Sequence, residues 1–231
     1  DQQRLMDLRV VSTLGLTEED VELLARQEGV EEAEGAYTID AAVPLKDQEM
    51  IVKVHSFAEE GSNRPRLVEG RLPRKVGECL VEPLFLEKSG LSTGDFEDAL
   101  ARREFTIVGT ADSPLYISVE RGSSSLGTGA VSAFVLLPQA AFSLDYYTDA
   151  YLRAEGAEEL LCYSEDYTEL VNSLSDALEP LAEALDLSVS ELLSGRRLTA
   201  EELPKAAGGQ IVESMQERVR LLRGFLATLV M

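Results

Sequence analysis

The amino-acid sequence predicts an α+β protein, in which a discontinuous α/β lobe of βαββ plus βα order carries an inserted small β-rich lobe and a helical C-terminal tail follows. Three observations support this fold class. Strand patterns surround one amphipathic helix near the start of the chain, short strand patterns fill the middle, and a strand followed by a long leucine-rich helix repeats the opening unit later. We expect residues 1–58 and 146–187 to form the α/β lobe, residues 66–138 the inserted lobe, and residues 188–231 the tail.

The opening unit begins with residues 7–13 (DLRVVST), whose composition is that of a strand. Thr17 precedes three acidic residues and is predicted to cap a helix, since negative charge suits a helix N-terminus. Gly29 is predicted to end that helix. Residues 33–43 alternate between apolar and polar positions and residues 50–57 (MIVKVHSF) do the same, so each segment predicts one half-buried strand.

The middle of the chain follows a polar junction at residues 59–66 (EEGSNRPR). Short strands are predicted at residues 67–73, 77–81, 105–110, 115–119 and 133–137, and helical segments at residues 83–89 and 96–103. A small β-rich subdomain follows from these patterns.

The later unit consists of a predicted strand at residues 149–154 (DAYLRA) and a long amphipathic helix capped by Ser164. Short helices are expected at residues 188–193 and 199–203, and a final helix at residues 211–231. The opening unit exposes too much apolar surface to be stable alone, so we expect the later strand and helix to cover it.

The composition is that of a folded chain, because 45% of the 231 residues are hydrophobic. No stretch reaches the roughly 18 consecutive apolar residues that a membrane-spanning helix needs. The sequence begins at Asp1 without a signal segment, so we expect it to be a piece of a longer protein. Its formal charge of -21 repels phosphate backbones, which argues against a nucleic-acid partner.

The sequence shows no recognisable catalytic motif. The single histidine, His55, is predicted to lie exposed on the outer face of a strand as a bystander. The nucleophile elbow, HExxH, P-loop and EF-hand motifs are absent, and the short acidic clusters are interpreted as solvated faces. We therefore predict no catalytic residue, no cofactor and no metal site, and a protein that is not an enzyme.

Five tyrosines crowd one region of the chain, namely Tyr146, Tyr147, Tyr151, Tyr163 and Tyr167. Core packing is the first interpretation, and a patch that contacts a partner is the alternative, since tyrosine is frequent in interfaces.

The two cysteines, Cys79 and Cys162, lie in separate predicted units, and a chain of this size has no need of a disulfide for stability. Cys79 sits in the apolar run ECLV and is predicted to be a buried free thiol. We expect the two not to be bonded to each other.

Several glycine-containing segments occur in a recognisable order. After the opening strand and helix come residues 29–35 (GVEEAEG), 70–73 (GRLP), 90–95 (GLSTGD) and 105–110 (FTIVGT). They resemble, in order, the motifs G-V-x-x-V-x-G, G-R-x-P, G-x-x-x-G-D and F-x-V-x-G of the MacB-like periplasmic core domain in FtsX-like ABC transporter permeases. The resemblance covers roughly residues 7–185.

The resemblance implies a domain that lies between two transmembrane helices on the extracytoplasmic side of the cell membrane. It implies the flanking transmembrane helices and a cytoplasmic ABC ATPase subunit as partners, with a permease dimer and an unknown exported substrate or extracellular partner. Such domains carry no catalytic residues, and mechanotransmission would couple ATP hydrolysis to export, extraction or signalling. The alternative is a stand-alone secreted or surface-anchored binding protein that uses the tyrosine patch. An uncharacterised hydrolase is a third, weaker hypothesis.

Overall fold

The computed structural model describes residues 3–45, 48–86, 105–116, 124, 126, 130–162, 164–185 and 187–191. Strands dominate and helices are few in this part of the chain, which confirms the α+β class. The strands are β1 (Leu8–Leu16), β2 (Val30–Ala36), β3 (Thr38–Leu45), β4 (Gln48–Phe57), β5 (Arg66–Gly70), β6 (Glu78–Val81), β7 (Thr106–Asp112), β8 (Ala133–Pro138), β9 (Tyr147–Ala154) and β10 (Leu187–Glu191). The α-helices are α1 (Glu18–Ala25), α2 (Pro83–Leu86) and α3 (Glu165–Ala184).

The chain divides into two compact units, each with its own sheet. The first unit comprises Asp1–Met6 and Ala36–Tyr147, and its six-stranded sheet has the order β3-β4-β8-β6-β7-β5. The second unit comprises Asp7–Gly35 and Thr148–Met231, and its four-stranded sheet has the order β10-β1-β9-β2.

Both helices of the second unit begin where the sequence predicts. Thr17 caps α1 in a capping box, because its Oγ1 accepts from the Asp20 amide at 3.2 Å while Asp20 Oδ2 accepts from the Thr17 amide at 2.7 Å. Ser164 caps α3, accepting a hydrogen bond from the Tyr167 amide at 3.2 Å. The apolar stripe of α3 is buried at Val171, Leu174, Leu178 and Ala182.

The six-stranded sheet is mixed. Strand β4 runs antiparallel to β3 and parallel to β8, β6 runs antiparallel to β8 and parallel to β7, and β5 closes the other edge antiparallel to β7. Successive side chains of a strand point to opposite faces. Along β8, Ala133, Val135 and Leu137 enter one apolar cluster, whereas Phe134 and Leu136 enter another. Both faces of this sheet are therefore covered at β8.

The predicted partition of the chain is corrected by the sheet order. Residues 33–43 were expected to form one strand of the opening lobe, but they form parts of β2 and β3, which lie in different sheets. Tyr37 separates the two strands, with its ring stacked on Phe142 at 4.8 Å and its amide bonded to Ser56 Oγ at 2.8 Å. Beyond Tyr37, β3 and β4 pair in the sheet of the middle segment and not in the sheet of β1 and β2. The predicted opening βαββ unit and its boundary at residue 58 were therefore wrong.

Two further expectations differ from the structure. Residues 188–193 were predicted to be helical, yet residues 187–191 form β10, which pairs antiparallel with β1. The alternation of the sequence LSVSE, which suits a strand, explains this outcome. Helix α1 ends at Ala25, and Gly29 instead adopts a left-handed conformation (φ +85°) in the turn that enters β2.

Other predicted elements lie outside the described residues. These are the turn at 90–95, the helices at 96–103, 199–203 and 211–231, and most of the strand at 115–119, of which Leu115 lies in a turn.

Candidate functional site

The predicted tyrosine patch is divided between the two units. Tyr151 and Tyr167 belong to the second unit and are buried, with 4% and 6% of their surface exposed. Tyr147 belongs to the first unit, where it packs against Tyr37 with ring centroids 5.1 Å apart. Tyr146 is partly buried, and Tyr163 lies outside the described residues. Burial makes Tyr151 and Tyr167 core residues in this structure.

Tyr167 is tied into a buried polar network of the second unit. Its hydroxyl donates to Asp7 Oδ1 at 2.6 Å, and the amide of Ala154 donates to Asp7 Oδ2 at 2.8 Å. The Asp7 amide in turn donates to the Leu152 carbonyl at 2.9 Å. Hydrogen bonds of this kind let a carboxylate lie in an interior, so Asp7 joins the start of β1 to β9 and α3.

His55 is buried, with 4% of its surface exposed, and the expectation that it lies exposed was wrong. Its Nδ1 lies 3.0 Å from Thr38 Oγ1 and its Nε2 lies 2.6 Å from the Tyr116 hydroxyl. Tyr116 stacks on Phe134 at 4.8 Å and so covers this face of the sheet. The strand pattern could not reveal that cover, because Tyr116 is 61 residues away in sequence.

The G-R-x-P segment meets the F-x-V-x-G segment through backbone alone. Gly70 ends β5 at a φ of +81°, and a Cβ there would lie 2.3 Å from the Val108 carbonyl oxygen. A Cβ at Gly109 would lie 2.5 Å from the Glu69 carbonyl oxygen. The two glycines therefore allow β5 and β7 to approach closely beside the register shift between Leu67 and Glu69.

Arg71, the next residue, forms a two-pronged ion pair with Glu78. Its Nη1 and Nη2 donate to Glu78 Oε2 and Oε1 at 2.7 and 2.6 Å, and the Arg74 amide donates to Oε2 at 2.8 Å. The pKa of Glu78 is lowered to about 2, mainly by the hydrogen bonds from the Arg71 side chain and secondly by that from the Arg74 amide. The same hydrogen bond raises the pKa of Arg71. Sequence reasoning missed Glu78, although a glutamate at the start of the apolar strand ECLV was a signal.

The second unit carries most of the negative charge. Its residues 7–35 and 148–191 contain 21 acidic and three basic residues, a net charge of -18. All three arginines are in ion pairs: Arg9 binds Asp149, Arg26 binds Glu22, and Arg153 lies 3.2 Å from Glu31 and 3.4 Å from Glu158. The acidic clusters that were interpreted as solvated faces thus partly surround Arg153, which is buried.

Both cysteines have free thiols; Cys79 is buried and Cys162 is exposed. Burial raises the pKa of the Cys79 thiol to about 12, so it stays protonated near neutral pH. Within the part of the chain that the structure describes, no group of three or more His, Cys, Asp or Glu side chains is arranged to hold a metal ion. No helix in that same part is long and apolar enough to cross a membrane.

A comparison with solved structures found similarity to extracytoplasmic domains of ABC-type transporters. The chain is similar to the extracellular domain of the noncanonic ABC-type transporter YknZ from Gram-positive bacteria, with a TM-score of 0.46 and 12% identity over 80% of this chain and 99% of that one. It is also similar to the periplasmic region of MacB from Actinobacillus actinomycetemcomitans, with a TM-score of 0.43 and 11% identity over 80% of this chain and 87% of that one. No protein-family model matches the chain, and no curated protein matches it.

Proposed function

We propose that this chain is the extracytoplasmic domain of a membrane-bound ABC transporter permease of the FtsX-like, MacB-like type. In this role it is a non-catalytic module that transmits motion from the membrane to a substrate or partner outside the cell membrane.

The observation that carries the proposal is the physical role of the motif residues. Gly70 and Gly109 belong to two motifs that lie far apart in sequence, and the fold brings their backbones into contact. Arg71 of the first motif fixes Glu78 at the start of β6. Because these glycines and this arginine contact one another's segments in the fold, the motif resemblance has a structural basis and is stronger support than a match of residue types alone.

The proposed function implies specific partners. Flanking transmembrane helices would hold the domain at the membrane, and a cytoplasmic ABC ATPase subunit would drive it, with a permease dimer as the working assembly. Coupling of ATP hydrolysis to export, extraction or signalling follows as mechanotransmission. Of the tyrosines first considered for partner contact, Tyr146 and Tyr147 are partly exposed and stay candidates for that role.

The test is to read the full gene product and to purify it from membranes with a tag on this domain. We expect apolar segments of about 20 residues on both sides of the domain and an ABC ATPase that co-purifies with it. A signal peptide followed by a lipid-anchored cysteine, with no ATPase, would contradict the proposal and would identify a stand-alone binding protein.

A further inference from the structure

A short loop of the first unit holds the segment that precedes β1. We call residues 3–6 the strap and residues 60–64 the clasp loop. The Arg64 amide donates to the Gln3 carbonyl at 2.7 Å, and the Asn63 amide donates to the Arg4 carbonyl at 2.9 Å. The Asn63 side chain completes this ladder, because its Oδ1 accepts from the Met6 amide at 3.1 Å.

Side chains strengthen the same contact. Gln3 Nε2 donates to the Arg64 carbonyl at 3.3 Å, and Arg4 Nη1 donates to the Glu60 carbonyl at 2.8 Å. Arg64 itself binds the carbonyls of Gly61 and Glu60 at 3.1 and 2.7 Å, which keeps the clasp loop closed on itself. The clasp loop thus holds the strap through backbone and side-chain hydrogen bonds.

The strap and the strand that follows it belong to different units. Asp1–Met6 belongs with Ala36–Tyr147, whereas Asp7 begins the second unit and leads at once into β1. The chain therefore changes from the first unit to the second between residues 6 and 7. A load on the chain before residue 3 reaches the clasp loop before it reaches β1.

The closed strap is also strained. Arg4 (φ +46°) and Asn63 (φ +55°) are the non-glycine residues with positive φ among those that the structure describes. The Nδ2 of Asn63 is buried without an acceptor in the same part of the chain. Both features raise the free energy of the closed state. Opening of the strap would free the backbone of Arg4 and would let water accept from Asn63 Nδ2.

We propose that the strap is a releasable load-bearing device. When it is closed, the clasp loop of the first unit carries a pull that comes from the preceding chain. When it opens, the pull passes to β1 of the second unit. The device rests on the proposed function only for the source of the pull, and its opening can be measured without any membrane component.

The first test measures amide hydrogen exchange of the whole chain by NMR. In Asn63→Gly the backbone keeps its left-handed conformation but loses the acceptor for the Met6 amide. We expect the Met6 amide to exchange at least tenfold faster in this variant, with no change at Val52 and Val54 in β4. The matched variant Asn63→Asp keeps an acceptor oxygen and should leave Met6 protected.

Equal acceleration at Met6 and in β4 would show a loss of overall stability and would overturn the proposal. Equal loss of Met6 protection in both variants would overturn it as well, because the acceptor oxygen would then not hold the strap.

The second test pulls on the chain between its N-terminus and residue 145, using Asp145→Cys with Cys162→Ser so that the handle has one exposed thiol. Opening of four residues should lengthen the chain, before the first unit unfolds, by at most about 14 Å less the distance that the closed strap already spans. Asn63→Gly should lower the force of that step. Unfolding without an earlier step would overturn the proposal, and neither measurement depends on whether an ABC ATPase binds the full protein.

Discussion

Replacing Gly70 with alanine tests the close approach of β5 and β7 directly. The new Cβ would lie 2.3 Å from the Val108 carbonyl oxygen and 2.7 Å from the Gly109 Cα. Both neighbours are backbone atoms, so they can retreat only if the strands separate. The substitution would also place alanine at a φ of +81°, where a side chain is unfavourable.

Two other glycines separate these effects. Gly156 has the same φ of +81° with no atom within 4 Å of an added Cβ, so Gly156→Ala measures the backbone effect alone. Gly109 lacks a left-handed φ but meets the Glu69 carbonyl oxygen at 2.5 Å, so Gly109→Ala measures the steric effect alone. Gly70→Ala combines both.

The magnitudes follow from these geometries. An alanine in the left-handed conformation costs about 1–2 kcal/mol. Alanine also reduces the conformational freedom of the unfolded chain, which offsets up to about 1 kcal/mol of that cost. Gly156→Ala should therefore lower the free energy of unfolding by about 1 kcal/mol. Overpacking costs about 1–3 kcal/mol, which is the expectation for Gly109→Ala. Gly70→Ala should then lose about 2–4 kcal/mol.

The assay is urea unfolding of the whole chain, followed by circular dichroism and fitted with a common slope for the three variants. In a thermal melt each kcal/mol should lower Tm by about 2–4 °C for a protein of this size. If Gly70→Ala were no more destabilised than Gly156→Ala, the strands would have room for the side chain, and the close approach of the two motifs would be refuted.

Three further predictions concern single side chains. The pKa of Glu78 falls from 4.5 to about 2 on folding, so the stabilisation that its carboxylate gives is complete above pH 4.5 and is lost as the pH falls toward 2. Between these pH values the urea midpoint of Glu78→Gln should depend less on pH than that of the unaltered protein. Tyr167→Phe removes the donor to Asp7 and should destabilise the protein by about 1–3 kcal/mol in urea unfolding. In the folded protein Cys162 should react with a thiol reagent while Cys79 should not, as the mass of the labelled chain will show; labelling of both would contradict the buried thiol.

Local signals in the sequence predicted the elements whose causes are local. The capping box at Thr17 and the apolar stripe of α3 lie within one or a few helical turns, so their residues can be read in order. The strand patterns of β4, β6, β8 and β9 were likewise correct, since each contains its own alternation or apolar run.

The misses have non-local causes. The alternation continues through Tyr37, so the sequence predicted one strand where the structure has β2 and β3. The contacts of Tyr37 at this division include Phe142, which is 105 positions later. His55 read as exposed because its cover comes from Tyr116. The partners Arg71 and Glu78, and the Asn63 contact with the strap, depend on side-chain geometry that no spacing specifies.

The acidic character of residues 7–35 and 148–191 has a kinetic consequence. Because each arginine in these segments is already paired, the remaining carboxylates set the field around this part of the chain. Cationic molecules would be steered toward it at low ionic strength, and their association rates would fall steeply as salt is added. At physiological ionic strength the field decays over about 8 Å. The rate at which a molecule meets these segments should therefore depend first on the sign of its charge, and its shape should matter only at short range.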